Sequence, residues 1–117
     1  MNLVTVKEVH TEAIIFSNGY QLISEHEQDC CENHYLDFSD LVLDDFKHCL
    51  FDLDSEFFEK IEDYGIAIIP INNHKIRIPG YGYNNGYYSS ELILTIIDEN
   101  YKKVKSWDIS NCQIITG

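Results

Sequence analysis

The pair Asn18-Gly19, set between Ala13-Ile14-Ile15-Phe16 and Tyr20-Gln21-Leu22-Ile23, constrains this chain more than any other feature. Asn-Gly between two β-prone runs is the strongest short-range hairpin signal, because a type I′ turn needs positive φ at both central residues. The sequence therefore predicts a β-hairpin over residues 13–23.

Much of the remaining chain also reads as strand. Leu3 to Val9 alternates weakly, as an edge strand does. Ile66-Ala67-Ile68-Ile69 is a buried run that stops at Pro70, and Asn72-Asn73 marks a turn. Lys75-Ile76-Arg77-Ile78 alternates charged and apolar residues, so one of its faces is expected to be wet. Leu92 to Ile97 is the most apolar run and is followed by turn residues Asp98-Glu99-Asn100. Lys103 to Ile109 alternates again, and Gln113 to Thr116 offers a last edge strand.

Between the hairpin and these strands the periodicity changes. Ser39 reads as an N-cap with Asp40 in the first turn, where negative charge suits the helix dipole. Val42, Phe46, Cys49, Leu50 and Leu53 follow at helical spacing, although Phe51-Asp52-Leu53-Asp54 competes as an extended piece. A second helix is expected from Ser55 as N-cap, with Phe57, Phe58, Ile61 and Tyr64 on one face and Gly65 as its left-handed terminator. The expectation is one α+β domain over residues 1–117. It has a mostly antiparallel sheet of about five to seven strands, with one or two short helices between residues 39 and 64 packed on one face.

Composition bounds what such a domain can do. With 117 residues, 44% of them apolar and 13% aromatic, the chain can bury one core and is not a disordered segment. Lys7, Glu8 and Glu12 interrupt the N-terminus early, against an export signal. No apolar run reaches membrane-spanning length, so a soluble, cytoplasmic protein with no membrane partner is expected. In that compartment the four cysteines would be thiols or metal ligands. Fourteen of the 20 acidic residues fall within residues 25–63, opposed only by Lys47 and Lys60, so the whole net charge of −12 arises in that third of the chain. Such a field repels nucleic acid and attracts cations or basic protein surfaces, so direct nucleic-acid binding is not expected.

Two segments concentrate groups capable of chemistry. The first holds His26, Gln28, Asp29, Cys30, Cys31, Glu32 and His34. Thiolate and imidazole are zinc ligands, but adjacent cysteines in extended backbone point to opposite sides, and structural zinc sites use ligand pairs two to four residues apart. A mixed site that borrows His48, Cys49 or Asp37 stays open, as does a structural role. Cys30 or Cys31 with His26 or His34 as base is the nucleophilic reading; the surrounding carboxylates oppose thiolate formation and weaken it.

The second segment, Gly80 to Ser90, interleaves Tyr81, Tyr83, Tyr87 and Tyr88 with Gly, Asn85 and Ser. That is the composition of recognition loops, in which rigid amphipathic rings supply area and small polar residues supply adaptable hydrogen bonds. Arg77 and His74 are the nearest cations that could join such a site. Gly80-Tyr81-Gly82 does not make a dinucleotide fingerprint, since the third glycine is out of register and a strand follows. Asp52-Leu53-Asp54 lacks the glycine and terminal glutamate of a calcium loop.

The motif His26-Glu27-Gln28-Asp29-Cys30-Cys31-Glu32, followed by Asp37-Phe38, resembles a small domain family of unknown function from bacterial genomes and their phages. Asn85-Gly86-Tyr87-Tyr88-Ser89-Ser90-Glu91-Leu92 and Asn18-Gly19-Tyr20 carry the rest of the resemblance. The family implies no activity, cofactor or site residues. It implies an accessory or counter-defence protein rather than a metabolic enzyme, and two motifs that meet in the fold. The expectation is a non-catalytic binding module without a cofactor. It would engage a protein or small ligand through the acidic 25–63 surface and through Arg77, Tyr81, Tyr83, Asn85, Tyr87 and Tyr88. The alternative is a metal- or thiol-dependent site at His26, Cys30, Cys31 and His34.

Overall fold

The computed structural model describes residues 3–25, 33–83 and 91–116. The chain opens with β1 (Leu3–Val4) and β2 (Val6–Val9), and the expected hairpin follows as β3 (Ala13–Phe16) and β4 (Gln21–Glu25). Its turn differs from the expected type. Gly19 N donates to Phe16 O at 3.0 Å and Phe16 N to Tyr20 O at 2.8 Å. Only Gly19 takes a positive φ, 89°, while Asn18 does not. The loop is thus the three-residue form, in which a left-handed glycine follows the turn. The Asn18 side chain accepts from Tyr20 N at 3.0 Å.

The α+β expectation fails between residues 39 and 64. Among the described residues there is no α-helix, and the twelve strands exceed the expected number. After β5 (Asn33–Leu36) comes only a single 3-10 turn, Leu43–Phe46, then β6 (Phe51–Asp52) and β7 (Phe58–Ile61). Two physical reasons account for the error. The alternation at Phe51 wins over the helical spacing, because β6 pairs with β1 and thereby buries Phe51 and Leu53 while Asp52 and Asp54 face outward. The apparent helical face from Phe57 to Tyr64 is instead a hairpin with β8 (Gly65–Ile68), in register Phe58↔Ile68 to Ile61↔Gly65. Asp63, not Gly65, takes the left-handed conformation, with φ 61°. Gly65 is a strand residue whose missing Cβ leaves room for the backbone at Ile78, Pro79 and Gly80. Local propensity gave way to available strand partners, as it does wherever pairing and burial outweigh it.

The long strand β9 (Ile76–Tyr83) organises one five-stranded sheet. Its first half pairs with β8 and its second with both β5 and β12 (Ile114–Thr116), the last in parallel. The second sheet runs in the order β11-β10-β4-β3-β2, with β10 (Ile93–Ile97) and β11 (Lys103–Asp108) antiparallel. Both sheets contribute to one core. Ile14, Phe16, Leu22, Leu94 and Ile96 meet Leu36, Ile66, Ile68 and Ile78, with Phe46, Phe51, Leu53 and Phe57 filling the space between. The expected buried strand at Ile66 and the expected edge position of β2 both hold.

Candidate functional site

Strand β9 builds the site. In a strand, residues i, i+2 and i+4 share one face, so Arg77, Pro79 and Tyr81 stand together. Register places Tyr35 of β5 directly opposite Tyr81, and their rings meet at 5.9 Å with a 44° tilt. Arg77 is exposed and its guanidinium lies 5.9 Å over the ring of Tyr64, whose carbonyl accepts from Gly80 N at 2.7 Å. Tyr35 keeps 41% of its surface and Tyr64 and Tyr81 are half-buried. The result is an open face carrying the rings of Tyr35, Tyr64 and Tyr81 and the Arg77 guanidinium.

The opposite face of the same strand is closed. His34 lies opposite Gly82 and is buried together with Gln113, the residue just before β12. Gln113 Nε2 donates to Ser110 O at 2.8 Å. Its Oε1 therefore faces His34 Nδ1, also at 2.8 Å, and being an acceptor it requires that nitrogen to carry the proton. Gly82 makes the pair sterically feasible, since any Cβ there would run into Gln113 Oε1, His34 Nδ1 and Ile115.

The expected recognition loop is thus partly a strand. Gly80 to Tyr83 belong to β9, and the glycines serve close approach by Cys112, Gln113 and His34 rather than turns. Of the expected contact residues, Arg77 and Tyr81 share one face of β9; Tyr83 lies in β9 by its backbone, and His74 is exposed before the strand. Asn85, Tyr87 and Tyr88 lie outside the described residues, as do His26, Gln28, Asp29, Cys30, Cys31 and Glu32. The described chain on either side of these two motifs is nevertheless paired: Glu25 with Ile93, and Asn33 with Tyr83.

Sequence reasoning missed Tyr35, Tyr64, Gly82 and Gln113. Tyr35 alternates with His34 and Leu36, a strand signal, whereas nothing local marks Gln113 as a partner 79 residues away. Cys49 and Cys112 are free and buried, and burial pushes both thiols above their ordinary value, so neither is an activated nucleophile. Among the described residues no group of three or more His, Cys, Asp or Glu side chains converges as a metal site would require. None of their helices is long and apolar enough to cross a membrane.

The fold and site define an all-β domain with an open aromatic face and a closed polar pair. A family model for a domain of unknown function, DUF7448, matches residues 2–94, and the chain belongs to that family. Neither a comparison with curated proteins nor one with solved structures returns a match.

Proposed function

We propose that this protein is a non-catalytic binding module whose open β9 face seats a protein or small-ligand partner. The observation that carries this reading is the alignment of Arg77, Tyr81, Tyr35 and Tyr64 on one open surface. Phenol rings offer large contact area at low conformational cost, and an arginine adds directional donors. The acid excess of residues 25–63 favours a basic protein surface over nucleic acid or anionic lipid. A cytoplasmic, phage- or mobile-element-encoded accessory role is consistent with that charge. Pull-down from a bacterial host lysate with wild type, Tyr81→Ala and Arg77→Ala tests the reading. A partner retained by wild type, released by added salt and lost in both variants supports it. Retention by folded variants equal to wild type removes the β9 face from the proposal.

A second reading, a metal-dependent site that includes His34, draws on one observation. The Gln113 hydrogen bond orients the imidazole as supporting partners orient metal-ligating histidines. Metal analysis of freshly purified protein decides it: stoichiometric metal that is lost in His34→Gln supports this reading, and metal-free protein rejects it.

A further inference from the structure

We propose that the groove between β7 and β11 is a binding site for a neutral oligosaccharide, in which one sugar ring rests on Phe58 and Trp107. Alternation along β7 sets up the site. Residues two apart on a strand share a side, so Phe58 and Lys60 stand together, and both line the groove with Trp107 of β11. Phe58 and Trp107 are half-buried, 5.0 Å apart between ring centroids, with their planes at 70°. Two rings in that relation make an apolar corner, and the buried Phe57 ring supports Trp107 at 5.5 Å. Ser55, Glu56 and Glu59 complete a groove of about 340 Å³.

The charges around that corner select a neutral ligand. Glu59 is held by Lys75 at 3.0 Å. Asp108 accepts from Ser110 N at 2.9 Å and from the Ser110 hydroxyl at 2.6 Å. Glu56 and Lys60 enter no hydrogen bond or ion pair among the described residues. An anion in the groove would meet Glu56 and a cation would meet Lys60, so neither sign is favoured. A carboxylate offers only acceptors and an ammonium only donors. Together they suit hydroxyl groups, each of which is both.

A sugar ring has both properties the groove asks for. Its C–H faces are apolar and cover an aromatic ring, while its rim of hydroxyls needs donors and acceptors at the edges. Small-ligand sites combine such apolar walls with a few convergent polar groups. A second depression, of about 300 Å³, shares Lys60 and is lined by Asp108, Ser110 and Asn111. That continuation is polar, so it suits the next sugar of a chain rather than an extended apolar ligand. Neither Arg77 nor Tyr81 lines either depression, so the site stands or falls independently of the β9 face.

Trp107 is the only tryptophan in the chain, so its fluorescence reads the site directly. The whole chain is titrated with maltohexaose, cellohexaose and the hexamer of N-acetylglucosamine. At least one of them is expected to change the emission saturably. Glu56→Ala and Lys60→Ala, both at exposed positions, are expected to melt as wild type does. Each is expected to weaken that binding about two- to tenfold, as loss of a hydrogen bond does. No saturable change with any of the three sugars overturns the proposal. So does binding left unchanged in both variants. A saturable response to choline that is tighter than the response to every sugar also overturns it, since the corner would then be a cation site.

Discussion

Gly82 shows how much can rest on an absent side chain. It sits opposite His34 in the ladder, and the His34–Gln113 hydrogen bond passes over the space its Cβ would occupy. Gly82→Ala is expected to separate that pair and to cost about 1–3 kcal/mol, as overpacking of a tight site does. Chemical denaturation gives the magnitude, and loss of the His34 Nδ1–H resonance identifies the cause. In the sequence Gly82 looks like a loop residue beside tyrosines, and no local pattern distinguishes a glycine that turns from one that makes room. Gly65 repeats the lesson: read as a helix terminator, it is a strand residue kept small by the backbone of β9. At this scale the sequence singled out Arg77, Tyr81 and His34 but not their neighbours, because Tyr35, Tyr64 and Gln113 arrive through pairing of remote segments.

Residues 39–64 carry the main correction at the scale of elements. Strand-forming partners, β1 for β6 and β8 for β7, outcompete a helical pattern that has too few turns to stand alone. The stretch just before β6 is held by a side chain that bonds it as a short strand would. Asn72 Oδ1 accepts from Leu50 N at 2.9 Å and its Nδ2 donates to His48 O at 2.8 Å, beside the Ile71–Leu50 backbone bond. That clamp holds His48 in the left-handed conformation, φ 68°. Asn72→Ala removes both bonds at an exposed site and is expected to cost about 1–2 kcal/mol. Hydrogen exchange should show the loss first at Leu50, while the amides of β10 stay protected. Asn72-Asn73 was legible as a turn, but its role as a clamp required knowing that Leu50 lies alongside.

The whole molecule depends on strands beyond the family-matched region. That match ends at residue 94, just inside β10, yet β10 pairs with β4 on one side and β11 on the other. Trp107 of β11 packs against Phe57 and Phe58 at 5.5 and 5.0 Å between ring centroids, and Gln113 holds His34. A chain ending at residue 94 is therefore expected not to fold; circular dichroism and rapid proteolysis would report it. The sequence by itself determined the Asn18-Gly19 hairpin, the apolar strands at Ile66 and Leu92, and the concentration of charge in one third of the chain. Those features follow from dihedral preference, local burial pattern and composition, all of which act within a few residues. Only the tertiary structure decided that Phe51–Asp52 and Phe58–Ile61 form strands, that Gly80 to Tyr83 form a strand, and that Tyr35 and Gln113 join opposite faces of β9. Each of those outcomes depends on which remote strand supplies the hydrogen bonds and covers the side chains.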